Sequence, residues 1–198
     1  VYDAILSEER KRLAALGGAA TRSHIQAAID RLQQASNFVV GSLDGCKVRP
    51  LLSMVEDVAS AGAKVVVISQ FRGEGLDKLR QVLEAYGTAI ADSEAPEADR
   101  NRALDDFRTD ARLHVLLADD RLRPPGGPLE EATYVVHFDH AWNPAIVRRM
   151  ELRLHPDPGT AAPVNVTELW VAETIDERLH QLLAERSLLP ADLPLDVR

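Results

Sequence analysis

Residues 134–145 read Y-V-V-H-F-D-H-A-W-N-P-A, and their reading decides the fold. The run begins apolar and ends in a carboxylate, Asp139. A strand covered by helices on both faces carries this continuous apolar pattern, whereas a half-exposed strand alternates. The run breaks at Trp142-Asn143-Pro144, and the Arg-rich stretch 145–154 that follows has helical spacing. Strand, break and helix in immediate succession form the repeating unit of an open α/β sheet, in which ligands are handled at the carboxyl ends of the strands.

The same unit recurs on either side. Residues 64–71, K-V-V-V-I-S-Q-F, are β-branched and continuous, as expected of a second buried strand. Upstream, Leu51, Leu52, Val55 and Val58 fall at helical spacing and Gly62 closes that helix. Downstream the pattern predicts helix over 76–86, strand over 88–91, helix over 97–107, and strands over 113–118 and 133–139. It continues with helix over 145–154, strand over 164–171 and helix over 175–183. Strands alternating with helices of this length imply a mainly parallel sheet with helices on both faces. Ahead of the sheet, Ile5, Leu13 and Leu16, then Ile25, Ala28, Ile29 and Leu32, imply two helices split at Gly17-Gly18. The expected organisation is a helical lead-in segment (1–45) packed on the α/β lobe, the lobe itself (46–190) and a tail (191–198).

The chain has 198 residues, of which 45% are hydrophobic and 27% charged, enough for one sizeable core. No stretch approaches the roughly 18 apolar residues that span a bilayer, and residues 1–10 show no export signal. No membrane association is expected, and the location expected is cytoplasmic (nucleoid) or nuclear. The single cysteine, Cys46, excludes an internal disulfide and a cysteine cluster for zinc. A chain that opens on Val1 in mid-pattern reads as a piece of a longer protein. The net charge of −8 disfavours strong autonomous nucleic-acid binding, which draws its affinity from Lys and Arg displacing counterions. Arginines nevertheless cluster at Arg121 and Arg123 and at Arg148, Arg149 and Arg153.

Asp139-x-x-Trp142-Asn143-Pro144 resembles a signature of the second motor lobe of Swi/Snf-type, superfamily-two helicase-like ATPases. Other landmarks follow in the family's order. Gly45-Cys46-Lys47 is similar to its Ser-Gly-Lys, Ser69-Gln70-Phe71 to its Phe-Ser-Gln-Phe strand end, and Arg100, seven residues before Phe107, to its Arg-containing helix. The 113–117 strand and Thr174-Ile175-Asp176-Glu177, like its Thr-Ile-Glu-Glu helix start, complete the series. The resemblance implies a RecA-like C-terminal lobe whose partners are an N-terminal RecA-like lobe of the same parent chain, DNA, and further proteins.

The resemblance fails where the chemistry belongs. The family's Gly-Leu-Asn-Leu-Thr loop corresponds to Gly126-Gly127-Pro128-Leu129-Glu130, which loses an amide and a hydroxyl and gains a negative charge. By resemblance Gly126, Gly127 and Leu129 are nucleotide-proximal. Of the family's two cleft-crossing arginines, Arg153 matches the first, a candidate arginine finger, and the second is Pro156. An arginine finger is worth about 10³ to 10⁵ in rate. Proline supplies no charge and ends a helix. A Gly-x-x-x-x-Gly-Lys-Ser/Thr phosphate loop occurs nowhere in the chain. The chain alone is therefore expected to need no cofactor, with ATP and Mg required only if a first lobe is present.

DNA-contact candidates are Arg121, Arg123, Arg149, Ser69 and Gln70, and the structural signature is Asp139, Trp142, Asn143 and Pro144. Trp142 reads as a packing anchor, and Arg148, Arg149 and Arg153 as either phosphate contacts or helix-face partners of Glu151, Glu130 or Glu131. His137 and Asp139 would share one face of a strand and His140 lies past its end, with no third ligand apparent, so no metal is expected there. Asp119-Asp120 reads as a loop cap rather than a magnesium site. Three functions fit: a catalytically degenerate lobe acting as a DNA-contact or docking scaffold, an active but divergent second motor lobe, or a free-standing α/β ligand-binding or phosphotransfer domain using Asp119 and Asp139.

Overall fold

The computed structural model describes residues 1–124, 129–141, 145 and 164–187. Among them, strands β1 (Lys64–Ile68), β2 (Thr88–Ala91), β3 (Val115–Ala118), β4 (Ala132–His137) and β5 (Asn165–Glu168) form one sheet in the order β2-β3-β1-β4-β5. Every pairing is parallel. The helices are α1 (Tyr2–Leu16), α2 (Arg22–Asn37), α3 (Val48–Ser60), α4 (Lys78–Val82), α5 (Glu97–Thr109) and α6 (Ile175–Ser187).

Side chains of a strand alternate between faces, and here both faces are apolar. Val65, Val67, Val115, Leu117 and Val136 point into a cluster with Leu51, Val55 and Val58 of α3, Leu79 of α4, and Phe38 and Phe138. Val66, Ile68, Leu116, Ala118 and Val135 point the other way, onto Leu104 and Phe107 of α5 with Leu122 and Leu129. This double burial explains the unbroken runs of β-branched residues, and it matches the expected mainly parallel sheet with helices on both faces.

Several elements depart from their expected bounds. The helix expected over 76–86 is three pieces: a wide π-type turn at Arg72–Asp77, α4, and a 3-10 turn at Glu84–Tyr86 closed by Gly87. Within the first piece Gly75 lies directly against Ser69, and a Cβ there would overlap the Ser69 hydroxyl. The strand expected over 164–171 is only Asn165–Glu168, at the sheet edge with a single neighbour, and Val166 is exposed. Of the helix expected over 145–154, only Ala145 is among the described residues, and it is helical. Ile25, read as an apolar contact of α2, is exposed, whereas Ala28, Ile29 and Leu32 are buried.

The lead-in helices pack antiparallel-fashion as a pair along their half-buried stripes. In α1 the stripe through Ile5, Leu13 and Leu16 has a carboxylate at its centre: Glu9 is buried and takes both oxygens to Arg31 of α2, at 2.6 Å each. No helix among the described residues is long and apolar enough to cross a membrane.

Candidate functional site

The strand register brings four side chains to one edge. Ile68 pairs with Ala118 and His137, and Ala91 with Ala118, so Ser69, Asp92, Asp119 and Asp139 all emerge at the carboxyl ends of adjacent strands. In the strand order β2 lies to one side of β1, and β5 to the other side of the neighbouring β4. Such a switch point opens a crevice that serves as the usual ligand site of open α/β sheets.

Here the crevice between β1 and β4 is filled by the chain itself. Asp139 is buried, and its Oδ2 accepts hydrogen bonds from the Ser69 hydroxyl (2.5 Å) and the Asn37 amide (2.9 Å), its Oδ1 from the Gln70 backbone N–H (2.8 Å). Burial pushes the Asp139 carboxyl above the ordinary aspartate range, while the Lys47 charge and the three donors pull it back. Gln33 of α2 donates to the His140 carbonyl at 2.9 Å, and the Gln70 side chain bridges Gln33 and that same carbonyl at 3.0 and 3.1 Å.

Lys47 sits below this layer, buried along with its counter-ion. Its Nζ lies 2.6 Å from Asp176 Oδ2, at the start of α6, and donates to Asn37 Oδ1 and the Phe138 carbonyl, both at 2.9 Å. All three ammonium protons thus have a partner, which a buried lysine requires. The Ser36 hydroxyl donates to the other oxygen of Asp176 at 3.0 Å. A Cβ on Gly45 would overlap the Asn37 carbonyl, so the turn leading into Lys47 needs its glycine. The network therefore joins α2, the turn before α3, the ends of β1 and β4, and the first turn of α6.

Next to it, the buried His140 ring stacks on Trp170 with centroids 3.4 Å apart and planes 5° apart. His137 lies 6.0 Å from His140 and His180 lies 4.8 Å from Trp170. Burial, then the Lys47 and His137 charges, depress the His140 pKa to about 2, so the ring is neutral at physiological pH. Among the described residues no three His, Cys, Asp or Glu side chains converge to hold a metal ion.

A second, outward layer lies at the ends of β2 and β3. Asp119 is buried and accepts from the Ser93 N–H at 3.0 Å, from the Ser93 hydroxyl and from the Arg121 N–H at 3.0 Å, so it caps two loops at once. Burial and the neighbouring Asp119 charge raise the Asp120 pKa. Arg72 contacts Asp92 at 2.5 Å, and Arg121 contacts Glu94 at 3.0 Å. Arg123 is exposed.

The fold thus brings together Ser69, Gln70 and Asp139 in one place and Arg121 and Arg123 in another. Ser69 has no surface for DNA: it is fully buried and its hydroxyl is committed to Asp139. Gln70 is only partly exposed and its amide is taken up by Gln33 and His140. Leu129 is a core residue of the α5-side cluster. Gly126, Gly127, Trp142, Asn143, Pro144, Arg149, Arg153 and Pro156 lie outside the described residues. Sequence reasoning missed Gln33, Ser36 and Asn37. A signal was present, since these polar residues continue by steps of four from Ile29 and Leu32 and so fall on the buried face of α2.

Comparison with known proteins gives a consistent picture. No family model matches the chain. It is 27% identical over 145 residues to the SNF2 domain-containing protein ENL1 of Oryza sativa, covering 72% of this chain and 14% of that protein. It is 29% identical over 155 residues to the DNA repair protein rad8 of Schizosaccharomyces pombe, covering 76% and 14%. The chain therefore spans about one seventh of the length of these relatives. Among solved structures, the C-terminal part of the Fun30 ATPase domain superposes with a TM-score of 0.65 at 27% identity, covering 78% of this chain and 48% of that one. The C-terminal domain of the Sulfolobus solfataricus SWI2/SNF2 ATPase superposes at 0.74 and 20% identity, covering 95% and 80%. The core of that ATPase in complex with dsDNA superposes at 0.74 and 21%, covering 94% and 42%. In sequence and in fold the chain is similar to the C-terminal RecA-like lobe of Swi/Snf-type ATPases.

Proposed function

We propose that this chain, with the architecture of a Swi/Snf-type C-terminal lobe, serves its parent protein as a DNA-contact or docking scaffold and does not complete an ATPase site. The carrying observation is Pro156 where the resemblance calls for a second arginine, beside the Pro128 and Glu130 changes in the preceding loop, while Asp139 keeps its full set of donors. The support that holds the lobe's shape is retained, and one of the two arginine charges that would act on a γ-phosphate is lost. The lobe would pair with an N-terminal RecA-like lobe of the parent chain, act on chromosomal DNA in a nucleus or nucleoid, and present Arg121 and Arg123 to phosphates. ATP and Mg would be held by that first lobe.

Retention of Arg153 favours a second reading, a divergent but active motor lobe. Two titrations of the 198-residue chain test the first. Calorimetry with Mg and a non-hydrolysable ATP analogue should be flat, and micromolar binding would refute the scaffold reading. Duplex DNA should bind weakly, and Arg121→Glu or Arg123→Glu should weaken it further without unfolding the chain. Indifference to both substitutions would remove the DNA-contact role.

A further inference from the structure

Two arginines that follow strands of the sheet, Arg72 and Arg121, are not free. Arg72 follows β1 and reaches Asp92 at 2.5 Å; Arg121 follows β3 and reaches Glu94 at 3.0 Å, with Asp119 at 4.0 Å. Both arginine side chains are more than half exposed, at 57% and 61%. Their carboxylate partners, Asp92 and Glu94, come from one short segment, residues 92–95, which links β2 to α5.

That segment is held in place by its own bonds. The Glu94 N–H donates to Asp92 Oδ1 at 2.8 Å, the Ala95 N–H to the Asp92 carbonyl at 3.1 Å and the Ser93 N–H to Asp119 at 3.0 Å. Its carboxylates are thus set by loop geometry at the two arginines that would otherwise attract polyanions. A phosphate approaching Arg72 or Arg121 meets a guanidinium already neutralised by a carboxylate.

We propose that residues 92–95 form an anionic strap that occupies Arg72 and Arg121 in the free chain and competes with DNA phosphates for them, so that the strap lowers the lobe's affinity for DNA. The inference rests on the DNA-contact reading and adds the regulation of that contact. Glu94 is the releasing element, because it is as exposed as the arginine it holds. Asp92 is buried against its loop and anchors the strap.

The test measures binding of a short fluorescent DNA duplex to the full 198-residue chain at low ionic strength. Glu94→Gln should tighten binding by about two- to fivefold, the worth of an exposed ion pair, and the gain should vanish in an Arg121→Gln background. Glu56→Gln, which removes the same charge from α3, should give a smaller gain. The strap is overturned if Arg121→Gln weakens binding while Glu94→Gln changes nothing, if the gain survives in the Arg121→Gln background, or if Glu56→Gln matches it. Absence of binding by both the unaltered chain and Glu94→Gln overturns it as well. Binding that ignores Arg121 altogether removes the DNA-contact reading and the strap with it, an outcome separable from failure of the strap alone.

Discussion

Lys47 is a lysine with almost no contact with solvent, a placement found only where the charge is paired. Its worth lies in what its removal leaves behind. Lys47→Met should cost about 3–5 kcal/mol, because Asp176 would remain charged, buried and without its cation. Adding Asp176→Leu should recover much of the loss, since an apolar pair of similar volume avoids the desolvation of both ions. Urea denaturation of the two variants is the check, and a loss below about 1 kcal/mol for Lys47→Met would mean the pair is solvated. His140 gives a second test, with a definite sign. Its folded pKa, about 2, lies below the ordinary histidine value, so the unfolded chain binds a proton that the folded chain refuses. Stability from this group is complete above the unfolded pKa of about 6.5 and declines as pH falls below it. Between pH of about 7.5 and 5 the expected loss is about 2 kcal/mol. His140→Phe, which keeps an aromatic face for Trp170, should remove that share of the pH dependence; an unchanged slope would show that the ring is hydrated.

Among the elements, α1 and α2 have different standing. Glu9 is the only fully buried residue of α1, whereas α2 buries Ala28, Ile29, Leu32, Gln33, Ser36 and Asn37 and bonds to the ends of β1 and β4. Helices owe their stability mainly to such packing. The amides of α1 should therefore exchange with deuterium through local opening, well before those of α2, which should follow global unfolding. Hydrogen exchange resolved by residue decides this, and equal protection would mean that the Glu9–Arg31 pair and the Tyr2–Ile175 bond, at 2.6 Å, lock α1 as firmly as α2. The strands and α3 were legible because apolar residues repeat along them with a simple period. The region 72–86 was less legible, and in it Gly75 lies against Ser69, a contact that only the folded chain makes.

For the molecule as a whole, a net charge of −8 sets the ceiling on DNA affinity. Any binding must come from a local patch against that field, so affinity should be weak and fall steeply with salt, with a log–log slope of about −0.9 for each phosphate engaged. Titration at several salt concentrations measures it, and nanomolar binding at physiological salt would contradict it. The amino-acid sequence by itself determined the parallel α/β architecture, since double burial imposes continuous apolar strands, and it determined the order of signature residues, including Asp139 and the proline at 156. It did not reveal that Asp139 would be satisfied by Asn37, Ser69 and Gln70, that Lys47 would be buried against Asp176, or that Arg121 would be held by Glu94. These partners are 27 to 129 positions apart along the chain by the separations of their numbers. Local pattern carries periodicity and turn chemistry, but a bond between distant residues exists only once strand order and register have brought them to the same edge of the sheet.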